Sequence, residues 1–406
     1  GGFVGVDIFF VISGFVVLGS LLRGGPAGSA WQFLAAFYSR RIKRLTPALV
    51  ATVAFTAAAL SAVVPPEVEG LRDYYLSGQL ALIGCANLQF ATMANGYWEQ
   101  GLQTLEYNPF THMWSLGVEE QFYFVFPALV VLAYGPRVSR TSPQSAWCIR
   151  RRPVYLMALS CVLSLALSSW LSESSQRYAF YLLPSRFWQL MIGAIIFEWQ
   201  DAPVAPNGGR PAAPLPPLRK ALVALLEVCI CTCAWLAFTR TEGDRHFPVP
   251  WSLLAIAAAV GYIGLGSFPQ QHWRCGLPCP LLNAVIGWGP VAYIGRLSYP
   301  LYLWHWPVIV LAKWAVGVGR YETVGIRCFC VLFFSLAAAG TYHGIEARVQ
   351  RWRPTRHRHV FFAGAFGVGL LQLILDRLSG PAYGALYYAA ADETTAMDAG
   401  SDRWAP

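Results

Sequence analysis

The chain has 406 residues, of which 56% are hydrophobic and only 13% charged, and its formal net charge is +9. Soluble globular domains carry about 25% charged residues, so this composition excludes an ordinary soluble fold. It also excludes a disordered chain, a coiled coil and a disulfide-stapled secreted domain. Long apolar runs alternate with short basic loops, which leaves an all-α, polytopic membrane helical bundle. Helices are required because lipid cannot satisfy open backbone donors and acceptors.

A span needs about 20 apolar residues. In chain order the candidates are 3–22, 47–64, 119–135, 154–171, 179–198, 221–238, 249–268, 298–316, 326–343 and 360–376. The stretch 76–92 is apolar but carries Gln79, Asn87 and Gln89, and reads as a surface or re-entrant segment. Alternate loops 23–46, 136–153, 199–220, 269–297 and 344–359 hold twenty Lys or Arg, and the opposite loops and tail hold seven. The positive-inside rule then places the rich loops in the cytoplasm and both chain ends outside it. Residues 1–376 are read as the membrane domain, and 377–406 as an extracytoplasmic tail or linker. The basic clusters abut spans, so the net charge is a topology signal and nucleic acid is not an expected partner. The ten cysteines suggest no metal centre. Cys275 and Cys279 share one loop, and most of the others read as small apolar side chains.

Charge inside a membrane costs at least about 2.5 kcal/mol at a helix centre, so function is the first explanation for it. Asp7 lies one turn into the first span, in a segment where Gly5 and Gly14 permit close helix approach and Ser13 can bond across an interface. Arg40 and Arg44 share a helical face beside Arg41. Clustered guanidinium groups suit phosphate, either of membrane lipid headgroups or of a cytoplasmic nucleotide-like ligand. Pro109 breaks the segment before a helix that starts near Ser115. Ser115 and Glu119 then share a face, and His112 sits just ahead on the non-cytoplasmic side. An imidazole beside carboxylates is suited to general acid/base work or to a capping network. Arg186 and Trp188 in the fifth span add a further buried cation. His305 lies between two Trp residues on a helix containing Pro307, where it can relay protons or bond a neighbouring helix.

Five segments in this order resemble the acyltransferase-3 family of integral-membrane O-acyltransferases: GGFVGVDIFFVISGF (1–15), SRRIKRLTPAL (39–49), HMWSLGVEEQFYFVFP (112–127), SRFWQLMIGA (185–194) and GRLSYPLYLWHWP (295–307). The resemblance implies transfer of an acyl group, usually acetyl, from cytoplasmic acyl-CoA to a hydroxyl of a cell-surface carbohydrate or glycolipid. No permanently bound cofactor is implied. Arg40, Arg41 and Arg44 would meet the CoA phosphates. Asp7, His112 and Glu119 would serve catalysis toward the acceptor side. Ser115, Arg186, Trp188, Tyr299 and His305 would line the substrate path.

The family carries a helix with a key His ahead of the GGFVGVD segment, so the resemblance implies that this chain begins after that helix. With it the span count becomes eleven, and eleven-helix members often continue into an extracytoplasmic SGNH-type domain. Position 189 is Gln where relatives often have Glu, and Pro300 replaces a small residue. A membrane transporter or flippase with a buried polar path, and a non-catalytic relative, remain as alternatives.

Overall fold

The computed structural model describes residues 4–22, 29–68, 70–93, 105–134, 146–200, 217–239, 248–266, 281–354 and 357–379. The described residues are helical with irregular connections and contain no strand. The chain divides into two compact units. One comprises residues 1–33 and 118–295, the other residues 34–117 and 296–406.

A helix occupies each of the ten predicted spans, and seven helices among the described residues are long and apolar enough to cross a membrane. The helices over 221–238, 249–268 and 298–316 are not among those seven. Large apolar side chains face outward on the spanning helices, such as Leu159, Val162 and Leu163 in the fourth span and Phe362 and Phe366 in the last. An outward apolar surface of this kind is matched by hydrocarbon and not by water.

The first unit is built around α1 (Val4–Leu22) and α8 (Leu183–Gln200), with α6 (Ala146–Ser174), α7 (Gln176–Tyr181), α9 (Pro217–Phe238) and α10 (Ser252–Gly266) packed about them. A Cβ on Gly14 would lie 1.8 Å from the Leu190 carbonyl oxygen, and one on Gly193 would lie 1.9 Å from that of Val11. The two backbones therefore touch at reciprocal glycines, the close-packing device of membrane helices. Gly5 does not share in this, since a Cβ there would meet nothing within 4 Å. Around the contact, Val11, Trp188, Ile196, Ile256 and Ala259 form the apolar core.

In the second unit α2 runs unbroken over Ala30–Val63. The helix thus begins well ahead of the predicted span edge at Pro47, and it carries Arg40, Arg41 and Arg44, with Arg40 and Arg44 one turn apart as the sequence spacing implies. A proline inside a helix removes one backbone donor, and this 34-residue helix accommodates that loss. The stretch 76–92 contributes to two short helices, α3 (Leu71–Leu82) and α4 (Ala86–Thr92), neither long enough to span. Gly84, at φ 70°, supplies the left-handed residue that separates them. The helix α5 (Trp114–Tyr134) begins one residue before Ser115, following a single 3₁₀ turn over Thr111–Met113.

The predicted loop 269–297 contains α11 (Leu281–Gly287) and the start of α12 (Gly289–Val316), which carries Pro300 and Pro307 in its interior. Beyond α13 (Val318–Tyr321) come α14 (Val324–Thr341), a π-helical turn (Tyr342–Glu346), α15 (Ala347–Arg351) and α16 (His357–Leu378). Cys275, Cys279, most of the predicted loop 199–220 and nearly all of the predicted 377–406 tail lie outside the described residues.

Candidate active-site clusters

In the second unit, α12 holds the segment that carries His112 through a series of side chains along its length. The Trp314 indole donates to the Tyr107 carbonyl at 3.2 Å, and Lys313 pairs with Glu106. The Trp306 indole donates to the Asn108 carbonyl at 2.9 Å. Asn108 in turn donates to Ser77 of α3 at 2.8 Å. The Tyr302 hydroxyl donates to the His112 carbonyl. Its single proton is committed to that oxygen, so the 2.6 Å contact with Ser115 has the serine hydroxyl donating to Tyr302. His112 is thereby fixed on a short, doubly braced turn.

The His112 ring is buried, and apart from the adjacent Leu303 backbone neither nitrogen meets a hydrogen-bonding partner among the described residues. Its ring centroid lies 5.3 Å from that of His305, edge to face, and 5.2 Å from that of Tyr302. Among the described residues His305 makes no hydrogen bond to a neighbouring helix. Its Nδ1 lies 2.7 Å from the Tyr302 carbonyl one turn back. A carbonyl can only accept, so Nδ1 carries the proton and Nε2 presents a lone pair. Two adjacent imidazoles, one with a defined tautomer, are chemically suited to accept a proton.

The same helix reaches α2. The Tyr299 hydroxyl donates to the Leu45 carbonyl at 3.0 Å, immediately after Arg44. Tyr299 and Tyr302 are one turn apart, about 4.5 Å of helix rise. The α12 side chains thus tie the cation-bearing part of α2 and the His112 turn into one unit. Arg40 and Arg44 are exposed, Arg41 is partly buried, and Arg41 lies 5.5 Å from the centre of the Phe37 ring.

The first unit holds the other candidates. Arg186 Nη1 contacts Asp7 Oδ1 at 2.7 Å with both side chains 1% exposed. Gln189 donates to the same oxygen at 2.9 Å, and Arg186 Nε donates to the Phe180 carbonyl at 3.0 Å. Asp7 Oδ2 has no partner among the described residues. The Ser164 hydroxyl accepts from the Trp188 amide at 2.9 Å and donates to the Pro184 carbonyl at 2.6 Å, joining α6 to the first turns of α8. Trp188 is fully buried in the apolar core. Glu119 accepts from Ser13 at 2.6 Å and from Tyr123, which ties α1 to α5.

The structure therefore joins His112, Ser115 and His305 in one cluster, with Tyr299 reaching from the same helix to α2. It joins Asp7 with Arg186 in another cluster, and places Glu119 at a helix tie. The sequence alone did not single out Tyr302, and it marked Gln189 only as a departure from the family pattern. Tyr302 falls three residues after Tyr299 and three before His305, and Gln189 falls three after Arg186, so helical spacing was the available signal. Among the described residues there is no group of three or more metal-ligating side chains.

The sequence pattern of the acyltransferase domain matches residues 1–339. Peptidoglycan O-acetyltransferase OatA of Listeria monocytogenes is 26% identical over 318 residues, covering 77% of this chain and 45% of that protein. The membrane-bound BcsY of Komagataeibacter xylinus is 28% identical over 324 residues, covering 77% of this chain and 68% of BcsY. O-acetyltransferase OatA of Staphylococcus aureus is 25% identical over 358 residues, covering 86% of this chain and 53% of that protein. The chain thus spans about half the length of the OatA proteins it matches. No solved structure matches.

Proposed function

Because the chain belongs to the acyltransferase domain family, we propose that it moves an acyl group, acetyl in the simplest case, from acyl-CoA to a hydroxyl of a cell-surface carbohydrate. The observation that carries this reading is the His112–Tyr302–His305 cluster, linked through α12 to the Arg-bearing turn of α2. Arg40, Arg41 and Arg44 hold the phosphates of the donor, and the basic loops lie in the cytoplasm. His112 or His305 Nε2 takes the proton of the acceptor hydroxyl as its oxygen attacks the thioester carbonyl. The C–O bond forms, the C–S bond breaks, and the proton passes to the departing thiolate. Tyr302 and Ser115 keep His112 in place. Asp7, Arg186 and Glu119 hold the helices of the other unit, with Trp188 in its core. The O-acetyltransferase names of the OatA relatives support an acetyl donor and, for the peptidoglycan enzyme, a carbohydrate acceptor.

The test uses the full chain in proteoliposomes with labelled acetyl-CoA and a panel of glycan acceptors including peptidoglycan fragments. Label should enter an ester on one of them, and His112→Ala should lower the rate by about 100-fold or more, the usual scale of a lost acid/base group. Equal rates for the variant and the parent overturn the role of His112. Absence of acetyl-CoA consumption with every acceptor overturns the donor assignment.

A further inference from the structure

The α2 cations are only part of the positive charge gathered in the second unit. Lys43 Nζ donates to the Trp352 carbonyl at 3.2 Å, which brings α2 against the chain that follows α15. A Cβ on Gly364 would come within 2.9 Å of Ile42 Cγ2, so α16 packs on the same turn of α2. Two basic stretches about 300 positions apart in sequence are thus held side by side. Residues 40–44 and 348–353 together carry seven Lys or Arg and no acid. Arg348, Arg351 and Arg353 are exposed, as are Arg40 and Arg44.

The preceding π-helical turn ends in Glu346, a carboxylate only 3% exposed. One of its oxygens accepts from Gln350 at 2.8 Å, the other has no hydrogen-bond partner among the described residues, and its charge acts on Arg44. Single-turn π insertions are frequent at functional sites. Scattered cations suffice to set membrane topology. Bringing two like-charged stretches into contact adds repulsion that a topology signal does not need, and a polyanion removes it.

We infer that the two stretches form one polyphosphate site, in which α2 takes the diphosphate of acyl-CoA and the 348–353 stretch takes its separate ribose 3′-phosphate. This rests on the reading of acyl-CoA as donor. Phospholipid headgroups present the same phosphate chemistry, and the choice of bilayer separates the two sources.

Acetyl-CoA and its analogue lacking the 3′-phosphate are titrated by calorimetry against the full chain in phosphatidylcholine nanodiscs. The parent should prefer acetyl-CoA by about tenfold or more, the scale of one charge-assisted phosphate contact. The variant Arg348→Gln/Arg351→Gln should lose that preference while its affinity for the dephospho analogue is unchanged. Both residues are exposed, so the fold is not at risk, and an unaltered thermal transition checks it. A variant that keeps the full preference overturns this inference alone, as does an effect seen only with phosphatidylglycerol in the bilayer. Failure of the parent to bind either compound overturns the donor reading together with it.

Discussion

Replacing Arg186 with Met tests the buried pair in the first unit. Arg186 and Asp7 are each 1% exposed and 2.7 Å apart, and the remaining bond to Asp7 Oδ1 comes from Gln189. Removing the guanidinium leaves a carboxylate in apolar surroundings, which insertion scales put at about 2.5–3.5 kcal/mol. It also frees the Phe180 carbonyl that accepts from Arg186 Nε, for about 1 kcal/mol more. The sum, about 3–5 kcal/mol, agrees with the range for breaking a buried ion pair from one side. The double variant Asp7→Asn/Arg186→Met leaves a neutral amide that Gln189 can still bond, so its cost should be only about 1–2 kcal/mol. The two sites should therefore couple by about 2 kcal/mol or more. The assay is an equilibrium SDS titration of the four proteins in mild-detergent micelles. An Arg186→Met protein within about 1 kcal/mol of the parent, or strictly additive substitutions, would refute the pairing.

Gly14→Val should destabilise the protein by at least about 2 kcal/mol, because the added Cβ meets the Leu190 carbonyl at 1.8 Å, whereas Gly5→Ala, facing open space, should be near neutral; the same titration reads both. Tyr302→Phe removes the hydroxyl that bonds the His112 carbonyl and accepts from Ser115, so acetyl transfer should fall about tenfold or more with little change in the apparent KM for acetyl-CoA. Ser115→Ala, which leaves the His112 bond intact, should have the smaller effect, and the reverse order in steady-state rates would remove Tyr302 as the brace. Glu119→Gln keeps an oxygen to accept from Ser13 and Tyr123 and should stay folded, while Glu119→Leu should lose about 2 kcal/mol; equal stability of the two would show that the helix tie is unimportant.

What was legible in the sequence follows from how a membrane sorts residues. Apolar side chains are at home both in the core and against lipid, so the runs located the helices but could not say which faces meet. Phe122 and Phe124 read alike in sequence, yet the first is fully buried and the second is 77% exposed. Charges carry more information because the bilayer penalises them, and Asp7, Arg186 and Glu119, singled out on that ground, are all buried and partnered. Their partners were not legible. Asp7 and Arg186 are 179 positions apart, and Ser13 and Glu119 are 106 apart. No local pattern encodes such pairings.

Tyr302 marks the point where sequence reasoning fails for a chemical reason. A tyrosine near a span end is explained by the interfacial aromatic belt, so its hydroxyl draws no attention in a chain with nineteen tyrosines. Yet phenolic oxygens can both donate and accept, and here that duality joins a backbone carbonyl on the His112 turn to the serine three residues later. His305 illustrates the converse. Its position between two tryptophans drew notice, but its tautomer follows only from the Tyr302 carbonyl one turn back. Each histidine of the cluster thus depends on the same tyrosine, His112 through the tyrosine's hydroxyl and His305 through its carbonyl. Tyr302→Phe removes the first link and spares the second, so the fraction of turnover that survives measures how much of the proton transfer His305 carries without a fixed His112.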